Sequence, residues 1–334
     1  MRARDLGVAI GDLPPGARNA ITDVGGVRVG HTTLIEGAAV RTGVTMVVPP
    51  TLPLFAGCHR LNGNGELTGL EWVRESGLLT TPIGITNTFS VGVVRDAIAS
   101  VSADEDAWSL PVVGETFDGF LNDIRGQHVT AEHAQAALDA AHDGEVEEGN
   151  VGGGTGMVCH EFKGGIGTAS RNVGGYVVGV LVQANYGRRE RFRVDGVPVG
   201  KLIGDRIPLP GRAGEAGSII GIVATDAPLL PHQCDRLAQR AGLGVGRMGG
   251  TAAHSSGDIF VAFATGNDAL AGEGELAVRM LSDTEIGPFY DAVIESTEEA
   301  ILNAMLAAET MTGRDGNTVH ALEPELLVEV LRQS

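Results

Sequence analysis

The sequence is short of the residues that mark several protein classes. Three cysteines occur among 334 residues, Cys58, Cys159 and Cys234, far apart and with no C-x-x-C pair. A disulfide framework or a zinc knuckle is therefore not indicated. Aromatic residues make up only 4%, so Val, Ile, Leu and Ala must fill the core. No apolar run approaches the roughly 18 residues that span a bilayer. The N-terminal stretch "MRARDLGVAIGDLPPGARNA" lacks the apolar centre of a secretory signal. Basic residues are outnumbered 24 to 42, giving a formal net charge of −18. That balance argues against nucleic acid or an anionic membrane surface as partner. These absences together predict a reducing, cytoplasmic setting.

Familiar site motifs are missing too. There is no G-x-x-x-x-G-K-[ST] and no G-x-S-x-G. Gly244, Gly246 and Gly249 satisfy G-x-G-x-x-G, but they follow a helical segment and precede a strand, the reverse of a dinucleotide site. His128, His133 and His142 flank an Ala-rich helix at spacings that do not align a metal-binding pair. No metal site and no organic cofactor are expected.

What is present is 43% hydrophobic residues, enough for a large core, and 50 glycines spread within and between apolar runs. These glycines predict tight turns and close backbone approaches. No linker divides the chain, so residues 1–334 read as one domain. The first hundred residues read as turn-rich short strands. "TAEHAQAALDAAH" (130–142) reads as a helix with Thr130 as N-cap. "GGYVVGVLVQANYG" (174–187) reads as a buried strand, and "RFRVDGVPVG" as a hairpin turning at Asp195-Gly196. "GSIIGIVATDAPLL" (217–230) and "GDIFVAFATGNDAL" (257–270) resemble each other, with a helix opened by Pro231 between them. They predict neighbouring strands of a central sheet. Residues 288–308 and about 323–332 complete the helices. Strands and helices without strict βαβ alternation predict layered α+β.

One stretch stands out chemically. "RMGGTAAHSSGD" (247–258) places Gly249-Gly250-Thr251 at the mouth of a strongly apolar strand. A threonine hydroxyl needs a base beside it to act as a nucleophile. Cutting the preceding peptide bond supplies one, because an α-amine has a pKa of about 7.7 to 8.0. Two glycines permit the strained backbone such a cut requires. On the local sequence alone, a plain glycine-rich turn capped by threonine is the preferred reading.

Longer segments add to this. "GARNAITDVGGVRVGHTTL", "LNGNGELTGLEWVRESGLLTTPIGITNTFSVG", "VVGETFDGFLNDI", "GNVGGGTGMVCHEFKGGIGTASR", "VQANYG", "GLGVGRMGGTAAHSSGDIFVAFATGN" and "STEEAILNAM" resemble, nearly end to end, the DmpA-type aminopeptidases. That family includes L-aminopeptidase/D-amidases and β-peptidyl aminopeptidases. The resemblance implies a four-layer αββα sandwich, similar to N-terminal-nucleophile hydrolases with different connectivity. It implies self-cleavage at Gly250-Thr251 into chains 1–250 and 251–334, assembled as a tetramer of cleaved heterodimers. It implies Thr251 as nucleophile, where aminopeptidase members commonly have Ser and nylon-oligomer hydrolases Thr. Asn185 falls at the oxyanion-hole position. Glu115 in "GETFDG" falls where an acidic residue receives the substrate's amino group. Phe117 stands where members often carry Tyr. Ser296 and Glu298 match a Ser-x-Glu pair near the nucleophile's amine, with Thr297 and Glu299 as close competitors. Lys163 in "FKGGIG" is a further candidate to approach the site, ranked below the reading of a solvated lysine on a glycine-rich turn. The implied function is removal of N-terminal residues from short peptides or amino-acid amides. Alternatives are hydrolysis of non-peptide oligoamides, acyl transfer, and an uncleaved binding protein.

Overall fold

A computed structural model describes residues 1–101, 108–211 and 217–333. The strands of its two large sheets are β1 (Arg28–Glu36), β2 (Val40–Val48), β3 (Leu54–Gly63), β4 (Leu78–Leu79), β5 (Ile83–Asn87) and β6 (Val112–Thr116), then β9 (Gly165–Val173), β10 (Tyr176–Asn185), β11 (Ser218–Thr225) and β12 (Gly257–Ala264). Between β6 and β9 lies a two-stranded ribbon of β7 (Val158–Cys159) and β8 (Phe162–Lys163). The helices are α1 (Leu70–Ser76), α2 (Val91–Ser100), α3 (Ala131–Asp139), α4 (Val199–Ile203), α5 (Pro231–Arg247), α6 (Gly287–Leu306) and α7 (Pro324–Arg332).

One sheet has the order β1-β2-β5-β6, the other β4-β3-β12-β11-β10-β9. Period-two alternation sends neighbouring side chains of each strand into different layers. Ile220 and Ile222 of β11 join Ile85, Leu181 and Val261 between the sheets. Ile219 and Val223, on the opposite face, join Phe260, Leu237 and Ala300 under α5 and α6. Val44, Met46 and Val113 of the smaller sheet pack with Val94, Ile98, Ala134 and Ala137 of α2 and α3. Three apolar interfaces thus separate four layers, the expected αββα sandwich. The Ala-rich helix is shorter than the sequence predicts, ending at Asp139.

The two similar segments are β11 and β12, paired in parallel with Ser218 opposite Gly257 and Thr225 opposite Ala264. All eight residues of each are buried, so their near-continuous apolar character follows from coverage on both faces. The connecting helix α5 begins with Pro231 in its first turn, where a missing N–H costs nothing. Its apolar face, Cys234, Leu237, Ala238, Ala241 and Val245, has helical spacing and is buried.

The α6 layer is held by charge as well as by packing. Arg171 of β9 is wholly buried and donates to Glu295 Oε2 at 3.0 Å, to Glu299 Oε2 at 2.7 Å and to the Ile10 carbonyl at 2.7 Å. Arg4 and Asn19 also donate to Glu299, and the Asp12 and Leu13 N–H groups donate to Glu295. The N-terminal segment is therefore pinned across β9 and α6. Among the described residues no helix is long and apolar enough to cross a membrane.

Removing one partner from this network leaves buried charge uncompensated. Arg171→Met is expected to lower unfolding free energy by about 3–5 kcal/mol, read from urea melts. A loss under about 1 kcal/mol would show that the network carries little of the docking of α6.

Candidate active site

Strand register assembles the site before any side chain is considered. Asn185, the last residue of β10, lies opposite Ser218; Ser218 lies opposite Gly257; Gly257 lies opposite Gly63. One row across four adjacent strands therefore marks the edge of the larger sheet. Thr251 stands six residues ahead of Gly257, on the irregular segment entering β12.

That segment is shaped by crowding. A Cβ on Gly249 would run into the Arg191 carbonyl, and φ there is +95°. A Cβ on Gly250 would lie 2.8 Å from Tyr186 Cε2 and 2.5 Å from Val245 Cγ1. Both glycines are dictated by close approach, and the first also by backbone sign. The Gly250 N–H donates to the Val245 carbonyl at 2.9 Å, closing the end of α5. Ala252 has φ +47°, a left-handed conformation uncommon outside glycine. Thr251, between them, is exposed. It lines a small niche with Tyr186, Gly187, Gly217, Ala252, Ala253 and Ser256. Its Oγ1 accepts a hydrogen bond from Arg191 Nη1 at 2.9 Å. Beyond it, Asn62 Nδ2 donates to the Ala253 carbonyl at 2.7 Å, and Asn64 N to the Ser256 carbonyl at 3.1 Å.

Asn185 is fully buried. Its Oδ1 accepts from Val158 N at 2.8 Å, and its Nδ2 donates to the Phe117 carbonyl at 3.0 Å. The amide is thus fixed in orientation, with one nitrogen proton given to the Phe117 carbonyl. Two residues earlier on the same face, Gln183 donates to the Thr86 carbonyl and to Thr116 Oγ1. This strand end clamps β10 to the smaller sheet.

Glu115, on β6, is buried. Its carboxylate accepts from Glu66 N at 3.0 Å and from the Thr88 hydroxyl. Burial pushes its pKa above the usual carboxylate range, while the Thr88 and Glu66 hydrogen bonds pull it back. Gly65 separates it from β12: a Cβ there would sit 2.9 Å from Gly257 Cα and 3.1 Å from Glu115 Oε1. Glu115 therefore lies at the C-terminal end of the segment that carries Thr251. Phe117 is exposed, with its ring against Gly119.

Ser296 and Glu298 lie on α6 and are buried. Ser296 Oγ makes no hydrogen bond among the described residues. Glu298 Oε1 accepts from Asp195 N at 3.1 Å, and Oε2 lies 3.7 Å from Arg247 Nη1. It lines a polar cleft with Asp12, Arg193, Asp195, Arg247 and Glu295. Burial raises its pKa, and Asp195 N–H and Arg247 oppose this. Thr297 bonds back to the Val293 carbonyl at 2.7 Å, and Glu299 belongs to the Arg171 network. Ser296 and Glu298 therefore differ in their contacts from Thr297 and Glu299, the alternatives one position on. The geometry places Glu298 in this cleft and Thr251 in the niche beside Tyr186.

Lys163 departs from expectation. It is wholly buried rather than solvated. Its Nζ donates to the carbonyls of Met157 and Gly164 at 2.8 Å and of Gly154 at 3.3 Å. Burial lowers its pKa to about 7. Asp118, also wholly buried, is raised to about 7 by burial against hydrogen bonds from Thr42 and Asn122. The glycine-rich turn is tight enough to need carbonyl acceptors inside it, and Lys163 satisfies them. By fixing residues 154–158, it also fixes the Val158 N–H that orients Asn185. Cys159 beside it is an inert thiol, pushed up to about 12 by burial. No cluster of three or more His, Cys, Asp or Glu that could hold a metal occurs among the described residues.

Sequence reasoning missed Arg191, which touches the Thr251 hydroxyl, and Tyr186, which bounds Gly250. A signal for Arg191 existed: "RRERFR" (188–193) gathers four arginines in a strongly acidic chain. Tyr186 directly follows Asn185. Lys163→Met should lower stability by about 2–3 kcal/mol in urea melts, because three buried carbonyls lose their donor. A change under about 1 kcal/mol would contradict this reading of the turn.

Comparison with known proteins agrees with this architecture. The model of Peptidase family S58 matches residues 19–319. A β-peptidyl aminopeptidase of Sphingosinicella microcystinivorans is 47% identical, over 99% of this chain and 92% of its own length. A Burkholderia sp. β-aminopeptidase structure superposes with TM-score 0.94 at 53% identity, covering 100% of this chain and 99% of that one. The L-aminopeptidase D-Ala-esterase/amidase of Ochrobactrum anthropi, described as a new variant of the Ntn-hydrolase fold, gives TM-score 0.92 at 44% identity, covering 99% and 98%. With the motifs lying in family order along nearly the whole chain, this protein belongs to peptidase family S58 and is an aminopeptidase-type hydrolase of the Ntn-like αββα fold.

Proposed function

We propose that the chain cuts itself at Gly250-Thr251 and then removes N-terminal residues from short α- or β-peptides and amino-acid amides. The observation that carries this reading is the crowded Gly249-Gly250 turn, which leaves one β-branched hydroxyl exposed at the buried strand end where Asn185 is oriented. The names of the relatives support the choice of substrate class.

In the self-cut, Thr251 Oγ attacks the Gly250 carbonyl carbon, and the Gly250–Thr251 C–N bond breaks to leave an ester and a free α-amine. Water hydrolyses the ester, leaving a Gly250 carboxylate and a Thr251 that carries both amine and hydroxyl. In turnover, the Thr251 hydroxyl attacks the substrate carbonyl while its own amine takes the hydroxyl proton. The proton passes to the leaving amine. Asn185 stabilises the oxyanion, an effect worth about 2.7–4 kcal/mol for one donor. Water then releases the acyl group. Ser296 and Glu298 are proposed to steady the new amine once the cut frees the segment to move. Glu115 receives the substrate ammonium, which limits the reaction to N-terminal residues. Phe117 flanks the entrance without a hydroxyl.

Denaturing mass analysis should give two fragments, of 250 residues and 334 − 250 = 84 residues, and Thr251→Ala should stay intact and inactive. An intact chain with full activity would refute the mechanism. Gly249→Ala, whose Cβ meets the Arg191 carbonyl at φ +95°, should slow the cut by about tenfold or more. An unchanged processing rate would show that the turn is not strained for cleavage.

Glu115 also sets a pH dependence. It binds an ammonium only when ionised, and its pKa is raised. The acid limb of kcat/KM should therefore lie above the ordinary glutamate range, with activity rising as pH passes through that raised pKa. Glu115→Gln should remove this limb and erase the preference for free over N-acylated substrates. An unaltered profile in the variant would exclude Glu115 from ammonium recognition.

A further inference from the structure

We infer that Arg191 receives the carboxylate of the leaving residue, making this enzyme selective for peptides whose scissile bond is the last one, dipeptides above all. The inference rests on the proposed aminopeptidase reading and adds the leaving-group side of the site.

The segment from Gly249 to Gly257 carries the nucleophile and has opposite charges at its two ends. At its C-terminal end, Glu115 lies across Gly65 from Gly257. At its N-terminal end, Gly249 is pressed against the Arg191 carbonyl, and Arg193 N donates to the Met248 carbonyl at 3.2 Å. The chain from 191 to 193 therefore runs backbone against backbone along the approach to Thr251. Its position is built in. Arg189, on the same turn, is buried, with its guanidinium donating to the Glu161 and Ile207 carbonyls. Its N–H donates to Glu161 Oε2 at 3.0 Å. Phe192 is buried beneath the turn. These anchors hold the Arg191 side chain where Nη1 meets Thr251 Oγ1 at 2.9 Å.

A guanidinium this close to the nucleophile has a definite reach. A reacting carbonyl carbon stands about 3–3.5 Å from the attacking oxygen. In a dipeptide, the terminal carboxylate is only one residue beyond that carbonyl, a step of about 3.8 Å between Cα atoms. The planar fork of arginine matches a carboxylate and keeps its charge throughout the working pH range. With the substrate ammonium at Glu115 and its carboxylate at Arg191, a zwitterionic dipeptide lies across Thr251 in one direction only. A C-terminal amide offers no charge at that end, and a longer peptide places its carboxylate beyond the fork.

The test compares a β-alanyl dipeptide bearing a free carboxylate with the same dipeptide as its C-terminal carboxamide. Wild type should show a kcat/KM ratio of about 10–100 in favour of the acid. Arg191→Gln should bring the ratio to about one, lowering kcat/KM for the acid by about tenfold or more beyond any loss on the carboxamide. Arg191→Lys should restore part of the ratio, since it keeps the charge but not the fork. Denaturing mass of each variant verifies the cut. A wild-type ratio near one overturns the inference while the aminopeptidase reading stands. Equal loss on both substrates in Arg191→Gln also overturns it and assigns Arg191 to the nucleophile alone. Failure of cut wild type to turn over either substrate overturns both readings. If Arg191→Gln stays uncut, the wild-type ratio and the Lys variant decide.

Discussion

The parallel pairing of β11 with β12, in the middle of the larger sheet, is the constraint on which the rest depends. It fixes the row that carries Asn185, Ser218, Gly257 and Gly63. Because β12 has β3 on one side and β11 on the other, the chain entering it has little freedom. It must arrive from the end of α5 within the few residues between Arg247 and Gly257. The glycines at 249 and 250 are the consequence: nothing larger passes between Arg191, Tyr186 and Val245. The hydroxyl of Thr251, the proposed nucleophile, thus ends up exposed on a segment held at both ends by close backbone packing. The same pairing has a second consequence for the proposed cut. Both fragments would contribute strands to one sheet, and α6 would remain tied to β9 through Arg171. Cleavage would change the chemistry of one residue while leaving the packing intact.

Polar burial is concentrated around this strand end. Gln183 and Asn185 tie β10 to the smaller sheet and to the turn near Val158. Lys163 fills that turn with donors, and Glu115 sits beneath Gly65. Buried polar groups are costly unless fully partnered. Here they are mostly satisfied by backbone carbonyls and N–H groups, which fixes their orientation without needing a ligand. Among the described residues Gln183 Oε1, Tyr186 OH, Asp118 Oδ2 and Ser296 Oγ are exceptions. Ser296 lies on the helix proposed to approach the freed amine.

Much of the fold was legible in the sequence. The repeated apolar segments ending in Ala-Thr announced two adjacent core strands, and Pro231 announced the start of the helix between them. The strand at 174–187 and the turn at Asp195-Gly196 follow from local composition alone. The layer count came from family resemblance, since which sheet faces which is a long-range property that no local pattern encodes. The site divides similarly. Thr251 was visible because a Gly-Gly-Thr motif before an apolar strand is unusual. Lys163 was misread because a lysine among glycines looks solvated, whereas the tightness of that turn creates buried carbonyls that need a donor. Arg191 was missed because its contact with Thr251 depends on two chain segments sixty residues apart lying backbone to backbone. Glu298 and Glu299 are adjacent and alike in sequence. Only the position of Arg171 shows that Glu299 is structural.

Thr251 is thus both the exposed residue between a crowded glycine turn and the left-handed Ala252, and the proposed start of a new chain. The most direct measurement is selective α-amine labelling of the native, active protein followed by peptide mass analysis, with native mass measured in parallel. The account predicts a labelled α-amine at Thr251, in stoichiometric amount, within particles that hold residues 1–250 and 251–334 together. A label confined to the N-terminus of an uncut and fully active chain would contradict it.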